Sequence, residues 1–381
     1  MRILMVSIPS LHFFRWTSQL QDSGHEVYWF DITGMSEPVE RLSWVSQKTA
    51  WKLRFNYPGR IFFKKNFSKV YRFLQGFNEQ DTATVFEEYL KEVKPDVVHS
   101  FALYLSCTPI LGVMNKYQTL KWIYSSWGSD LYYFQNELSY LKDIKNVLFR
   151  IDYLFTDCKR DYEIAKKHGF KGEFLGVFPG GGGFLLEKMK VYSIPFEQRK
   201  TILIKGFQGR SGRAIPVLKA IEEMKKLLQE YEIVVFGADK EVIAYTDNSV
   251  LQSWDNFAIY GKSSHEEILK LMGKSLIYIG NSNSDGIANT LLEAICMGVF
   301  PIQSNPGGVS EEIITNGING LLIEDCEDVL EIIEKIKYVI TIDLKPAVAF
   351  NSKNLSLIFE YNYIKEKVEE KYNNLMGNLS S

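Results

Sequence analysis

The chain has 381 residues, more than one ordinary core accommodates and enough for two domains. Hydrophobic residues make up 46% and charged residues 24%, the balance of a globular protein, and a net charge of −2 gives no overall electrostatic case for a nucleic-acid partner. The cysteines, Cys107, Cys158, Cys296 and Cys326, are scattered and read as buried thiols, which argues against a disulfide framework or a metal site.

The N-terminus, MRILMVSIPS, reads as a short strand without a signal-peptide layout. No uninterrupted apolar run is long enough to span a bilayer, so a cytoplasmic location is expected. Ser10 to Ser23 reads as a helix, with Gly24 as its C′ residue, and His25 to Asp31 as a second strand. His12, in the first loop, is a candidate for contact with a substrate phosphate or hydroxyl, or else a partly exposed loop residue. Arg41 to Gln75 is unusual. It interleaves Lys48, Lys52, Arg54, Arg60, Lys64, Lys65, Lys69 and Arg72 with Trp and Phe residues, and no acid stands between Glu40 and Glu79. Such a segment suits an anionic membrane surface or an anionic acceptor, and residues 48–72 are the candidate for peripheral membrane contact. It equally suits a helical excursion whose aromatics enter the core.

Asp81 to Val93 is an amphipathic helix, Pro95 to Phe101 a strand, and Ala102 to Met114 helix-like. Lys121 to Tyr124 is a strand that runs into Ser125-Ser126-Trp127-Gly128-Ser129-Asp130. Asp130 either binds a sugar hydroxyl or caps the next helix. Ile151 to Cys158 reads as a strand and Asp161 to Gly169 as a helix. Gly180 to Gly183 suits a linker or a backbone-hugging loop. Thr201 to Ile204 then reads as a strand and Ala214 to Glu230 as a helix, joined by Lys205-Gly206-Phe207-Gln208-Gly209-Arg210-Ser211-Gly212-Arg213. A glycine-rich loop between strand and helix is an anion cradle. Its glycines are not in dinucleotide-fingerprint spacing. Glu232 to Phe236 and Phe257 to Tyr260 are strand-like. His265 opens a helix as a cap or surface residue, and Asp325 to Asp328 reads as a helix start.

The most informative stretch is Gly280 to Gly320. Leu276 to Ile279 reads as a buried strand, Asn281 to Asp285 as a polar loop, and the chain turns helical near Asn289. Gly298 ends that helix, and Val299 to Ile302 starts a further strand. A loop between a strand end and a helix N-terminus favours an anion. Asp285 and Glu293 frame it. A carboxylate repels phosphate but accepts hydrogen bonds from diols, so the pair suggests a phosphate between two sugars, a nucleotide-sugar. The same two acids also suit a helix cap and a first-turn acid.

The spacing Ser282-x-x-Asp285-Gly286, Leu292-Glu293-Ala294, Gly298-x-x-Pro301, Gly307-Gly308-x-x-Glu311 and Asn316-Gly317-x-Asn319-Gly320 resembles the signature of the retaining glycosyltransferases of family 4. The family motif has two acids separated by seven residues; here the first is Asp285 where Glu is usual. The resemblance implies an α/β GT-B fold, two Rossmann-like doubly wound parallel-sheet domains facing a central cleft. It implies that Glu293 binds the donor ribose and that Asp285 faces the transferred sugar. Gly286, Ile287, Ala288, Asn289 and Ser282 would meet sugar and phosphate. Lys205, Arg210 and Arg213 are the candidates for neutralising the diphosphate, with Gly206 beside them. Lys262 lies in the strand and loop that resemble the family's base-holding segment. His12, Trp127 and Asp130 are the acceptor-side candidates, and Trp127 stands where many members carry His. The resemblance also implies residues 1–180 as an acceptor domain, 181–352 as a donor domain, and 353–381 as a helix crossing back to the first domain.

The resulting expectation is a retaining, metal-independent glycosyltransferase. It would use a nucleotide-sugar as substrate, most simply a UDP-sugar, with no cofactor. A glycan or lipid-linked acceptor would be expected, as in bacterial surface polysaccharide synthesis, with the protein cytoplasmic or peripheral on the inner face of the membrane. The rivals are a non-catalytic sugar-nucleotide-binding partner and a GT-B epimerase.

Overall fold

The structure, a computed structural model, describes residues 1–379; the last two residues of the expected C-terminal helix, Ser380 and Ser381, lie outside it. Short strands rich in Val, Ile and Leu alternate with helices, the pattern of a parallel sheet covered on both faces. The strands are β1 (Arg2–Ser7), β2 (Glu26–Asp31), β3 (Ser46–Lys48), β4 (Val97–Phe101), β5 (Lys121–Ser125), β6 (Tyr153–Thr156), β7 (Glu173–Val177), β8 (Thr201–Lys205), β9 (Glu232–Phe236), β10 (Phe257–Ile259), β11 (Ser275–Gly280), β12 (Phe300–Ser304) and β13 (Leu321–Ile323). They form one seven-stranded sheet, ordered β3-β2-β1-β4-β5-β6-β7, and one six-stranded sheet, ordered β10-β9-β8-β11-β12-β13. Every strand pairing within both is parallel. Strand order reverses at β1/β4 in the first sheet and at β8/β11 in the second. Such a reversal opens a crevice at the carboxyl ends of the strands, where doubly wound sheets bind ligands.

Contacts divide the chain into two units. The first comprises 1–157, 161–182 and 367–381; the second comprises 158–160 and 183–366. In the first unit the helix Leu11–Ser18 starts at Ser10, whose side chain accepts from the Phe13 amide. The helix ends six residues before the expected stop at Gly24, because Gln19 to Ser23 coil in turns. From Lys367 the last helix (Tyr361–Leu379) packs in this unit. Its buried Tyr372 hydroxyl accepts from Trp16 Nε1 at 3.3 Å and lies 2.6 Å from His99 Nδ1.

In the second unit, alternation along the strands splits the core between two faces. Ile202, Ile204, Ile233, Val235, Ile277 and Ile279 pack on one side, and Leu203, Val234, Phe236 and Tyr278 on the other. The Gly180 to Gly183 run hugs neighbouring chain. A Cβ on Gly182 would lie 2.8 Å from the Gln19 amide, and one on Gly183 would lie 2.6 Å from Tyr361 Cα.

Three expectations are corrected. Ala102 to Met114 is not one helix but a π-turn (Leu103–Cys107), a 3-10 turn (Thr108–Ile110) and a short α-helix (Leu111–Lys116). Pro109 lacks the N–H that a continuous helix needs. The helix expected over residues 353–381 is broken at Glu360, whose extended backbone bridges Phe184. Of the aromatics between Arg41 and Gln75, Trp51 enters the core, stacking on Phe30 at 5.0 Å with its Nε1 donating to the Asp31 carbonyl. Those of the helices Arg60–Asn66 and Ser68–Asn78 stay outside it.

Candidate functional site

The second unit gathers most of the sequence-predicted residues at its switch point. β8 ends at Lys205 and β11 ends at Gly280, and the loops after them are tied together. The Arg213 amide donates to the Asn281 carbonyl at 2.9 Å, and the Asn283 amide donates to the Ser211 carbonyl at 2.9 Å. Asn281 Nδ2 donates to the Arg213 carbonyl at 2.9 Å, and Gly212 and Ser282 form an isolated bridge. Two glycines let the loop after β8 fold tightly on itself and against β9. A Cβ on Gly212 would lie 2.0 Å from the Phe207 carbonyl oxygen, and one on Gly206 would lie 2.6 Å from Val235. The Ser282 amide donates to the Ser304 hydroxyl at 2.8 Å, which fixes the start of the polar loop.

The helix Asn289–Cys296 follows that loop. Its N-cap is Ala288, so no side chain caps it. The Leu291 amide donates to the Ala288 carbonyl at 2.9 Å, and the positive end of the helix dipole faces the polar loop. Lys205 Nζ lies 3.7 Å from Asp285 Oδ2. Burial works to lower the Lys205 pKa, but Asp285, Tyr278 and Glu293 outweigh it, and the net shift is upward. Lys205 is thus held as an ammonium beside an uncapped helix start, a combination that attracts anions. The Asp285 carboxylate also accepts from the Gly286 amide at 3.0 Å. Lys205 and Lys262 line a common recess with Phe207, Gly237, Asp239 and Ser263. Ile287 and Ala288 are buried.

Glu293, on the second turn of that helix, is 3% exposed. The Nε2–H of His265 donates to its Oε1 at 2.7 Å. A carboxylate held in place by a ring nitrogen is a fixed acceptor of the kind that hydroxyl donors need. His265 is therefore not the cap expected from the sequence. Ser264 is the N-cap of His265–Lys274, in a reciprocal capping box with Glu267, and this places His265 at the first helical position. The Ser-x-x-Glu pattern at 264–267 was the available signal.

Arg160 is the second residue that sequence reasoning missed. Its guanidinium donates to the Asp285 carbonyl at 2.7 Å and the Pro306 carbonyl at 2.6 Å. It braces the polar loop from a segment over a hundred residues away, and no local pattern marks such a partner. Arg213 has another task than the expected diphosphate contact. Its Nε donates to Glu327 and its Nη1 to the Gly212 carbonyl at 2.6 Å. Arg210 sits exposed at the tip of the same loop.

In the first unit, the rings of His12 and Trp127 lie 5.9 Å apart at the carboxyl ends of β1 and β5. Trp127 also lines a small recess with Ser126, Phe178 and Gly180, and the buried Ser126 hydroxyl has no hydrogen-bond partner among the described residues. Asp130 does not cap the following helix, whose N-cap is Gly128. Its buried carboxylate accepts from the Leu103 amide at 2.8 Å, the Trp127 amide at 2.9 Å and the Tyr124 hydroxyl at 2.6 Å. Burial pushes its pKa up to about 6. Its oxygens hold the loop that presents Trp127, so it is a positioning residue and not a free sugar ligand.

Two parallel doubly wound sheets, each with its residues gathered at the switch point, define the fold of the GT-B glycosyltransferases. The fold matches sucrose-phosphate synthase from Thermosynechococcus elongatus at a TM-score of 0.73, with 14% identity over 99% of each chain. It matches Anabaena HepE, solved in complex with UDP-glucose, at 0.69, with 10% identity over 98% of this chain and 100% of that one. A glycosyltransferase from Rickettsia africae matches at 0.64, with 18% identity over 99% of each chain. At these identities the likeness is one of fold. Residues 193–354, most of the second unit, match the model of the family Glycosyl transferases group 1. An uncharacterized glycosyltransferase of Methanocaldococcus jannaschii is 27% identical over 211 residues, which are 50% of this chain and 51% of that protein. The chain thus spans about half the length of the curated relative it matches.

Proposed function

We propose that this protein is a retaining glycosyltransferase that takes its sugar from a nucleotide-diphosphate sugar, most simply a UDP-sugar. The observation that carries the reading is the arrangement around the uncapped start of Asn289–Cys296. Lys205 lies 3.7 Å from Asp285 in the loop before it, and Glu293, held by His265, lies on its second turn. The diphosphate would lie against the helix N-terminus and Lys205, with Arg210 as a further cation. Glu293 would take the ribose diol, and Asp285 would face the transferred sugar. The amides from Gly286 to Asn289 would meet sugar and phosphate. The base would occupy the recess of Lys262, Phe207 and Gly237. The UDP and UDP-glucose complexes of Anabaena HepE are the reason UDP is tried first.

In this reading the glycosidic bond to the diphosphate breaks, and the acceptor hydroxyl attacks the same face of the sugar. The electron pair leaves with the diphosphate, where Lys205 and the helix dipole stabilise the growing charge. A donor phosphate oxygen takes the acceptor proton. Cations and amides suffice to neutralise the leaving group, so no metal or cofactor is called for. His12 and Trp127 would meet the acceptor, a glycan or lipid-linked glycan of the kind used in surface polysaccharide synthesis. A second reading, a sugar-nucleotide-binding partner without turnover, is favoured by Trp127 and Asp285 standing where the family has His and Glu.

The test is a thermal-shift screen against UDP-, GDP-, ADP- and dTDP-sugars, with Glu293→Ala alongside. A donor at about 100 times its Kd raises stability by about 2.7 kcal/mol. One nucleotide class should stabilise the wild type and lose most of that effect in the variant. No response from any class, in folded protein, overturns the donor site. Binding without release of free nucleotide in the presence of acceptors leaves the partner reading in its place.

A further inference from the structure

We propose that the helix pair Arg60–Asn66 and Ser68–Asn78 is an interfacial anchor that seats the protein on an anionic lipid surface. In the second of these helices Val70, Phe73, Leu74 and Phe77 recur at i, i+3, i+4 and i+7, the spacing that normally turns one face to the core. Here the face points the other way. Phe73 is 69% and Phe77 70% exposed, while the polar Gln75 and Asn78 are buried. Asn78 is the root of the inversion. Its side chain donates to the Phe55 carbonyl and accepts from the Phe55 amide, both at 2.9 Å, and Gln75 Nε2 donates to the Tyr57 hydroxyl at 3.3 Å. The polar edge is thereby hydrogen-bonded to the domain and the apolar stripe is left in water. Ile61 (66% exposed) and Phe62 (58%) of the first helix extend the apolar surface.

An exposed stripe of this size implies an occupant. Arg60, Lys64, Lys65, Lys69 and Arg72 flank it. Residues 41–78 hold nine of the chain's 44 basic side chains and none of its 46 acids. The rest of the chain is therefore net acidic, and the basic charge is local to this element. Apolar residues inserted at the acyl boundary, with long cationic stems reaching headgroup phosphates, describe an interfacial helix on anionic lipid. A second copy meeting the same face would bring like charges together. Single-stranded nucleic acid would find rings to stack on, but three of the seven exposed apolar positions from Ile61 to Phe77, Ile61, Val70 and Leu74, offer no π-face. This inference does not depend on the donor assignment.

The experiment is flotation of the full chain with vesicles of phosphatidylcholine alone or with about 30 mol% phosphatidylglycerol, at low and high salt. The expected result is binding to the anionic vesicles only, weakened by salt. Phe73→Ser with Phe77→Ser should lower partitioning at least tenfold. Lys65→Glu and Lys69→Glu should each lower it by about fivefold or more, from about 1 kcal/mol per basic residue. The melting temperature and the nucleotide-sugar response should stay unchanged in all variants, which separates this face from the donor site. Failure of the wild type to float with anionic vesicles at low salt overturns the proposal. So does unchanged flotation of the folded variants. Self-association abolished by the Phe variants, or oligonucleotide binding without vesicle binding, would give the face to another occupant and overturn it as well.

Discussion

Two histidines show how one residue type is put to opposite uses. His265 orients a carboxylate at the candidate donor site. His265→Ala would leave buried Glu293 without that donor, which costs about 1–3 kcal/mol of stability. The nucleotide-sugar response should weaken with it, whereas His265→Gln, which keeps an N–H donor, should restore part of the response; thermal shift with and without ligand reads both. His99 is wholly buried between Tyr372 and Ser125, and burial pushes its pKa down to about 3. Its folded-state value lies below the unfolded one. The unfolded chain therefore binds more protons between about pH 6.5 and pH 3, and stability falls as pH drops through that window. The penalty reaches about 2 kcal/mol at pH 5 relative to pH 7. Asp130 acts in the opposite sense. Its folded pKa is raised to about 6, so its contribution is lost as pH rises toward that value. The clean measurement is the gap between wild type and His99→Gln in urea melts, which should narrow by about 2 kcal/mol from pH 7 to pH 5. An unchanged gap would show that His99 is not held neutral.

At the scale of elements, the second unit's site depends on two loops lying against each other. Gly212→Ala would push a methyl group into the Phe207 carbonyl, 2.0 Å from the added Cβ. The loop would have to open, at a cost of about 1–3 kcal/mol, and the nucleotide-sugar response should be lost. Gly24→Ala, outside the site, is a useful control, because its Cβ meets nothing within 4 Å and its cost is limited to strain at φ +78°. Ten of the thirteen strands among the described residues were legible, because parallel strands buried on both faces read as short Val/Ile/Leu runs, whereas β3, β7 and β13 were not read. β3, Ser-Gln-Lys, was not legible: it is an edge strand of three residues without an apolar signal. The helix that begins at His265 was placed correctly, yet its cap was misassigned by one residue. That single position decides whether an imidazole reaches Glu293.

At the scale of the whole molecule, the exposed basic element Arg60–Asn78 should be the first site of tryptic cleavage. It offers several Lys and Arg side chains on short helices with few buried residues. Limited proteolysis should cut within it in solution, and anionic vesicles should slow that cut while neutral vesicles do not. A donor sugar should leave it unchanged. Among the described residues no helix is long and apolar enough to cross a membrane.

The amino-acid sequence alone determined that two α/β units are present, and that the stretch from Gly280 to Gly320 carries the two acids of the candidate site. Those features are local: hydrophobic period, glycine placement and fixed spacing within one strand–loop–helix unit. Tertiary structure decided the rest. Arg160 braces Asp285 and His265 holds Glu293 through contacts between segments far apart in sequence. Asp130 is consumed by three internal hydrogen bonds, and Arg213 is claimed by Glu327. Whether the amphipathic stripe from Val70 to Phe77 faced the core or solvent was likewise undetermined. A helical period reports that one face is apolar, and only the packing of Gln75 and Asn78 settles which way that face turns.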